Sequence, residues 1–429
     1  MLSIHDLNKG QIKALDDLSH RFLKKWLGLP RSASWAIVHD AHGLGIKSFE
    51  HLYKECRSLT LANIRFFSDG RVRHALDSKE EREGNWRRKF SSSMYAKGLI
   101  EEVVPPVPVQ DQFSTQDQSL DDSQDSWSSL EVDVATPLVQ RPEVLTSGLL
   151  KRKVQTGVQA RVNNFWKEKI GRYIMQGDYL ALIMEEKGCI TWRSYLWDVP
   201  QGVLKFAINA GINTLPTLDN LKRWGKRVND KCPFCGNIQT LAHVLSICNT
   251  ALDQGRFTWR HDSVLCTIID IVRPRLIAGK QLFSDLAGYQ APHGGTVPPH
   301  ILVTNLRPDI FILDELKREV IVFELTCPFD RNVDRMHSYK EDKYAPLVAD
   351  LSRQFTVFHF SIEVSARGQV TKANRARFKE FAFRSCSDAR KITGNLIKNC
   401  SKAALLSSYS IFSARKEPAW ANPRPLVIT

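Results

Sequence analysis

The stretch NLRPDIFILDELKREVIVFELTCPF, residues 305–329, decides the fold of the C-terminal half of the chain. Its two runs PDIFIL and EVIVFEL are rich in β-branched and aromatic residues, and the charged segment DELKR separates them. This pattern predicts a β-hairpin. If Leu313 lies opposite Val320, the same antiparallel register places Asp309 opposite Glu324.

Side chains alternate between the two faces of this predicted hairpin, because successive residues of a strand point to opposite sides. One face would carry Asp309, Phe311, Leu313, Val320, Val322 and Glu324. The other would carry Ile310, Ile312, Ile321, Phe323 and Leu325. Because both faces are apolar, we expect helices to cover the hairpin on each side.

Asp309 and Glu324 form a candidate catalytic metal site. Two carboxylates that face each other between covered strands repel and are poorly solvated. A divalent cation removes both problems, and oxygen ligands suit Mg²⁺ or Mn²⁺. The alternative is a pair of strand-end acids in a fold that has no activity.

The segments around the hairpin predict an α/β core. NVDRMHSYKEDKYAPLVADL (332–351) has a helical pattern that sets Lys340 and Lys343 on one face. FTVFHFSIEV (355–364) is typical of a strand, KANRARFKEFAF of a helix, and DSVLCTIIDIVRPRL upstream of a leading helix. The predicted order is therefore helix, strand, strand, helix, strand, helix.

A second candidate metal site lies in CPFCGNIQTLAHVLSIC, residues 232–248, with the spacing C-x2-C-x7-H-x4-C. Zinc prefers four thiolate or imidazole ligands in a tetrahedron, and a CxxC turn places two thiolates on one ion. The predicted zinc ligands are Cys232, Cys235, His243 and Cys248. No open coordination position is evident, so the expected zinc is structural. The alternative is a buried cysteine cluster beside an unrelated histidine.

The charge of the chain is unevenly distributed. The whole chain carries +14, but residues 101–140 hold nine acidic residues and no Lys or Arg, which leaves +23 on the remainder. This surplus indicates a polyanionic partner, most often nucleic acid. The alternative is a soluble basic protein without such a partner. The candidate nucleic-acid contacts beside the cysteine cluster are Lys222, Arg223, Lys226, Arg227 and Lys231.

The chain is expected to be multidomain. Residues 1–98 have helical patterns, and residues 99–149 are an acidic, Pro- and Ser-rich stretch with the composition of a disordered linker. Residues 150–262 form a predicted helical linker domain with the zinc cluster, and residues 263–429 contain the α/β core. The start MLSIHDLNKG is not a signal peptide, and no apolar run approaches about 18 residues, so we expect a reducing compartment and no membrane partner.

The predicted core resembles the PD-(D/E)xK nucleases, in which two carboxylates hold a metal ion and a lysine assists attack on a phosphodiester. Pro308-Asp309 and Glu324 match this pattern, but Thr326 stands where the family has its lysine. That departure assigns the lysine role to the following helix, at Lys340 or Lys343. The alternative for these lysines is a solvated helix face.

Three motifs together carry a closer resemblance. The CCHC cluster, TWRHD (258–262) and RPD…ELTCPF…KEDKY resemble the C-terminal part of site-specific non-LTR retrotransposon proteins with a restriction-like endonuclease. In this family the nuclease lysine lies on the helix. In this comparison, residues 1–98 resemble the thumb of a reverse transcriptase. Arg260 and His261 match a motif that either contacts DNA or braces the zinc module against the nuclease.

The resemblance implies a Mg²⁺- or Mn²⁺-dependent endonuclease that nicks target DNA in the nucleus, with element RNA and a reverse transcriptase as further expected partners. No polymerase palm motif is evident, so we expect no reverse transcription by this chain alone. The basic patch GLLKRKVQ (148–155) is too short to establish nuclear import. The chain is similar to a C-terminal fragment, a truncated copy or a host-adopted remnant of such a protein.

Two other functions stay open at this point. The first is a non-catalytic module in which zinc and basic surfaces hold nucleic acid and the nuclease fold is an inert scaffold. The second is a translated relic without a cellular role. Cleavage that depends on a metal ion distinguishes the enzyme from both alternatives.

Overall fold

A computed structural model describes residues 7–30, 33–65, 95–96, 98–100, 102, 146–173, 176–186, 192–292 and 294–421. The predicted acidic linker at 99–149 lies outside these residues except at its two ends. Over the described ranges, no helix combines the length and the apolar character needed to cross a bilayer.

The chain divides into two compact units, one formed by residues 1–18 with 47–164 and the other by 19–46 with 165–429. The first unit therefore does not coincide with the predicted domain at 1–98. The helices that supply it are α1 (Lys9–Leu27, in part), α3 (Phe49–Arg65) and α4 (Ser147–Gly171, in part). Its core contains Ala62, Leu99, Ile100, Leu150, Val154 and Val158.

The part of the second unit that precedes the sheet contains short helices. These are α2 (Ala36–His39), α5 (Asp178–Glu185), α6 (Gln201–Gly211), α7 (Leu218–Arg223) and α8 (Asn249–Asp253). A single π-helical turn, His243–Ile247, precedes α8. The apolar side predicted for this segment is present, because Leu241, Val244 and Leu245 are all buried.

A four-stranded mixed sheet forms the centre of the second unit. Its strands are β1 (Gln281–Ser284), β2 (Ile310–Asp314), β3 (Glu319–Thr326) and β4 (Thr356–Glu363), in the order β1-β2-β3-β4. The first two pairings are antiparallel, and β3 pairs with β4 in parallel. Leu313 lies opposite Val320, so the predicted hairpin and its register are confirmed.

Helices cover both faces of the sheet, as the apolar alternation predicted. These helices are α9 (Arg256–Val272), α10 (Val333–Leu351), α11 (Lys372–Ser385) and α12 (Ala389–Ser413). On one face, α9, α11 and α12 pack against the even-numbered residues of β2, such as Ile310 and Ile312. On the other face, Tyr344, Leu347 and Leu351 of α10 pack against the odd-numbered ones.

The predicted order of elements is confirmed from α9 to α11, with two additions. Strand β1 pairs with β2 at one edge of the sheet, and the sequence pattern did not predict it. Helix α12 was also not predicted, although Ile392, Leu396 and Cys400 recur at helical spacing and are buried. The predicted domain boundary between residues 262 and 263 falls inside α9.

Arg260 of α9 is a buried brace between separate segments of the second unit. Its guanidinium donates to the carbonyl of Leu245 at 2.7 Å, to the hydroxyl of Ser408 at 3.3 Å and to the carbonyl of Cys327 at 2.8 Å. Leu245 lies between two predicted zinc ligands, and Cys327 follows β3. Of the two roles expected for Arg260, the brace is supported, and the nucleic-acid contact is not, because only 2% of the residue is exposed.

Replacement of Arg260 by Leu is expected to lower the free energy of unfolding by about 3 kcal/mol or more. The substitution leaves two buried acceptors and one part-buried acceptor without their donor, and each buried loss costs about 1–3 kcal/mol. Urea denaturation of the zinc-loaded protein measures the change. The matched control is Arg275→Leu at an exposed position, which should stay within about 0.5 kcal/mol; equal effects of the two variants would contradict the brace.

Candidate active site and zinc-binding cluster

Asp309 and Glu324 meet at the open end of the β2–β3 hairpin. The backbone N–H of Asp309 donates to Glu324 Oε2 at 3.2 Å, and the backbone N–H of Leu325 donates to Asp309 Oδ2 at 2.6 Å. Asp309 comes directly before β2, so the register of the strands brings it opposite Glu324. The sequence therefore predicted the juxtaposition of these two carboxylates, because a hairpin register is a local property.

The Glu324 carboxyl lies in an electrostatically unfavourable position. Its side chain is buried. Burial raises the pKa of Glu324 to about 7, the Asp309 carboxylate adds to this shift, and the Lys340 ammonium opposes it. A divalent cation between the two carboxylates would favour the ionised form of both, and their oxygens are the ligand type that Mg²⁺ prefers.

Without a divalent cation at this pair, the fold is expected to lose stability as pH rises. The folded protein holds a proton on Glu324 more tightly than the unfolded chain does, and this tighter binding stabilises the fold. The stabilisation is fully present at pH values below the ordinary carboxyl pKa. It is lost as the pH rises to about 7, the pKa of Glu324 in the folded protein. Urea denaturation measures the free energy of unfolding of wild type and of Glu324→Gln. From about pH 5 to about pH 8, this free energy should fall by roughly 2 kcal/mol more in wild type than in the variant. Parallel pH profiles for the two zinc-loaded proteins would contradict this.

Two lysines of α10 lie near the carboxylate pair, and the structure distinguishes them. The Lys340 ammonium forms an ion pair with Glu324 Oε1. Lys343 contacts instead the hydroxyl of Tyr344 at 3.2 Å. This hydroxyl donates to the carbonyl of Arg307 at 2.8 Å. The sequence did not choose between the lysines, because both fit one face of the helix.

Tyr344 and Thr326 are two further residues near Glu324. Burial raises the pKa of Tyr344, and the carboxylates of Glu324 and Asp309 add to the shift, so its hydroxyl stays protonated. Thr326 points to the same side of β3 as Glu324, and its hydroxyl is buried without a hydrogen-bond partner in the described part of the chain. The side chain at this position of β3 is therefore uncharged, and the ammonium group that contacts Glu324 comes from Lys340 of α10.

His261 belongs to α9, which packs on the face of the sheet opposite to α10, and its ring contacts Asp309. Its Nε2 lies 3.2 Å from Asp309 Oδ2, and its Nδ1 lies 3.0 Å from Asp262 Oδ1. Burial opposes protonation of His261, but the carboxylates of Asp309 and Asp262 outweigh it, and the pKa of the ring lies well above its usual value. The motif TWRHD predicted that His261 contacts DNA or braces the zinc module, and the contact with Asp309 was not predicted.

A separate ion-pair cluster lies on β4 and was not predicted. The buried Glu363 contacts His337 Nδ1 at 3.2 Å and Arg377 at 3.6 Å, and Arg377 donates to His337 Nε2 at 2.9 Å. These contacts connect α10, β4 and α11. A lone glutamate in FTVFHFSIEV gave no signal of these long-range partners.

The four predicted zinc ligands come together. Their donor atoms, from Cys232, Cys235, His243 and Cys248, all lie within 4.8 Å of one another. Cys235 Sγ is 3.3 Å from His243 Nε2 and 3.9 Å from Cys248 Sγ. Tetrahedral zinc with bonds of about 2.0–2.3 Å requires ligand separations of roughly 3.5–3.8 Å. The cluster could therefore hold one zinc ion with little movement.

The backbone around the first two cysteines forms a tight turn. The N–H of Cys232 donates to the carbonyl of Asn237 at 2.7 Å, and the N–H of Gly236 donates to the carbonyl of Cys232 at 2.9 Å. Gly236 has a φ of +75°, which favours glycine over other residues. This turn explains why CPFCG presents two thiols to one point.

The electrostatics of the cluster also fit a cation. Burial raises the pKa of Cys248 to about 11, and the Cys232 thiol adds to the shift. Burial also opposes ionisation of Cys232, but backbone N–H groups of Phe234 and Cys235 outweigh it and lower its pKa. Burial lowers the pKa of His243, which keeps the imidazole neutral and ready to bind a metal. Three thiolates here would require a compensating charge, which Zn²⁺ could supply.

The cations predicted to contact nucleic acid lie on the surface next to this cluster. Lys222, Arg223, Lys226, Arg227 and Lys231 are all exposed. Two of them have acidic neighbours, since Lys222 lies 2.9 Å from Asp230 and Arg223 lies 3.7 Å from Asp219. Exposed pairs of this kind are weak and do not prevent contact with phosphate.

The second unit thus combines a Cys₃His cluster that could hold zinc with a small mixed sheet that carries a buried carboxylate pair and a helix lysine. A scan against protein-family models finds none that matches the chain, and a search of curated proteins finds no match. A function for this chain must therefore be inferred from the chemistry of its sites.

Proposed function

We propose that this chain is a metal-dependent DNA endonuclease of the PD-(D/E)xK type that nicks one strand of target DNA, as the resemblance to non-LTR retrotransposon proteins implies. The observation that carries the proposal is the buried Asp309–Glu324 pair with the Lys340 ammonium on Glu324. Paired carboxylates in a buried position cost stability unless they bind something. Their position at a strand end beside a lysine fits phosphodiester hydrolysis.

Each residue of the site has a distinct role in this proposal. Asp309 and Glu324 would hold Mg²⁺ or Mn²⁺. When bound, the cation would supply positive charge that offsets the charge developing on the phosphate. Lys340, freed from Glu324 by the cation, would donate to a phosphate oxygen or steady the attacking water. Tyr344 would keep this lysine near the carboxylates by packing beneath it.

Lys340 rather than Lys343 is the proposed catalytic lysine, because only Lys340 contacts a carboxylate of the pair. Lys340→Met is expected to reduce the nicking rate by about 100- to 1,000-fold, the usual cost of one positioned donor. Lys343→Met is the matched control on the same helix face and should lose no more than about tenfold. Single-turnover nicking at saturating protein measures both; the reverse ranking would reassign the role.

The zinc-binding cluster has a structural and positioning role in the proposal. It would hold the surface that carries Lys226, Arg227 and Lys231 in a fixed orientation for DNA phosphates. Element RNA and a separate reverse transcriptase are proposed as further partners, from the resemblance alone. The nucleus is the proposed place of action, since the substrate would be chromosomal DNA.

A non-catalytic nucleic-acid-binding module is the second candidate. Two observations favour it: Thr326 replaces the lysine of the PD-(D/E)xK pattern, and the exposed cations beside the zinc cluster need no carboxylate pair to bind nucleic acid. In that case the sheet would serve as a scaffold only.

A nicking assay tests the proposal. Zinc-loaded protein is incubated with supercoiled plasmid and with a pool of random-sequence duplexes, in Mg²⁺, in Mn²⁺ and without a divalent cation. The expected result is open-circular plasmid or singly nicked duplex only when Mg²⁺ or Mn²⁺ is present. Intact DNA in every condition, together with binding that weakens as salt rises, would favour the binding module.

A further inference from the structure

His261 occupies a position that is fixed on both sides. The preceding residue, Arg260, is buried and bonded to acceptors in three other segments, so the backbone of α9 is immobilised at this point. The His261 side chain is only 24% exposed. It therefore has little freedom to leave the carboxylate it contacts.

Both ring nitrogens of His261 face carboxylate oxygens. Nε2 lies 3.2 Å from Asp309 Oδ2, and Nδ1 lies 3.0 Å from Asp262 Oδ1. Carboxylates accept hydrogen bonds, so each nitrogen is placed to donate. No ring donor is left over for a DNA phosphate, and this distinguishes His261 from the exposed cations beside the zinc cluster.

The contact with His261 determines how Asp309 is oriented. Oδ2 of Asp309 receives two donors, the backbone N–H of Leu325 at 2.6 Å and the His261 ring at 3.2 Å. Two donors on one oxygen restrict rotation of the carboxylate. The other oxygen, Oδ1, is then the one available to a cation.

We propose that His261 is a positioning residue that presents Asp309 Oδ1 to the divalent cation, with Asp262 holding the ring in place. The inference rests on the proposed function, because it assumes that Asp309 binds the cation. Groups that hydrogen-bond to a metal ligand fix its orientation, and their loss usually costs about 10- to 100-fold in metal affinity. His261 acts through Asp309 and need not touch the substrate.

Binding of Mn²⁺ to the zinc-loaded protein without DNA tests the inference independently of activity. Free Mn²⁺ is followed by electron paramagnetic resonance for wild type, His261→Leu, His261→Gln and Asp309→Asn. We expect His261→Leu to weaken Mn²⁺ binding by about 10- to 100-fold. His261→Gln should recover most of this loss, because its amide nitrogen reaches the place of Nε2. His300→Leu, at an exposed histidine, should bind as wild type does.

A second comparison keeps the test decisive if His261→Leu does not fold. His261→Asn places its amide nitrogen near the place of Nδ1, within reach of Asp262 but not of Asp309. We expect His261→Gln to bind Mn²⁺ at least about tenfold more tightly than His261→Asn. Equal affinities for these two variants would overturn the inference.

The Mg²⁺ dependence of nicking tests the same inference by a kinetic measurement. The Mg²⁺ concentration at half-maximal nicking should rise about 10- to 100-fold in His261→Leu, while affinity for DNA stays unchanged. A DNA affinity that falls with unchanged Mn²⁺ binding would show that His261 contacts DNA and would overturn the inference.

If His261→Leu binds Mn²⁺ normally and Asp309→Asn does not, the inference fails and the proposed function stands. If Asp309→Asn also binds Mn²⁺ and nicks as wild type does, the proposed function itself fails.

Discussion

Asp309→Asn and Glu324→Gln are each expected to reduce metal-dependent nicking by at least about a thousandfold. A metal ion contributes several kcal/mol to such a reaction, and about 4 kcal/mol corresponds to a factor of about a thousand in rate. An amide keeps the shape of the carboxylate and can still accept the hydrogen bond from Leu325 or Asp309. It removes the negative charge that the cation requires.

The same variants should retain their fold and their affinity for DNA. Loss of charge at the pair removes both causes of the raised pKa of Glu324, the burial of a charged group and the repulsion by Asp309, so the unfolding temperature is expected to stay the same or rise. Glu315→Gln, on the exposed turn between β2 and β3, is the matched control and should nick at the wild-type rate. Wild-type nicking by either Asp309→Asn or Glu324→Gln would exclude the proposed site.

Removal of zinc is expected to have the largest effect on stability. Structural zinc contributes on the order of 10 kcal/mol to small zinc-binding modules. Purified protein should contain one zinc per chain, and Cys235→Ser should lose it, because Cys235 is close to both His243 and Cys248. Without the cation, the Cys248 thiol reverts to its neutral form, because burial raises its pKa to about 11. The turn is then left with its apolar packing and the hydrogen bond from Thr250 to the Phe234 carbonyl.

Hydrogen exchange measures this loss locally. Amides in residues 231–252 should lose most of their protection in Cys235→Ser, and nicking should fall with it, because Arg260 links the Leu245 carbonyl to the segment after β3. The matched control is Cys266→Ser, at an exposed cysteine outside the cluster. One zinc per chain and unchanged protection in Cys235→Ser would contradict the assignment of the ligands.

Local patterns in the sequence were sufficient for several features. Alternation over residues 308–325 predicted the hairpin, its register and two covered faces, because a strand has a period of two and a short loop determines the pairing. The spacing of Cys232, Cys235, His243 and Cys248 predicted that four ligand atoms would meet. Both depend on residues close in sequence.

Features that depend on distant contacts were missed. Strand β1 is four residues long, and its pairing with β2 crosses a long loop. The division of the chain at 18/19 and 46/47 follows from tertiary packing and differs from the composition-based domains. Helix α12 had a readable apolar pattern, so its omission was an error of interpretation rather than a limit of the sequence.

The sequence by itself determined which carboxylates and which candidate metal ligands stand together, because a hairpin register and a CxxC turn are set within a few residues. Only the tertiary structure decided that Lys340 reaches Glu324, that Arg260 is a buried brace and that His261 holds Asp309. These three contacts join α9 and α10 to the open end of the hairpin. A helix presents several residues on one face, and packing against the sheet alone determines which of them touches a given carboxylate.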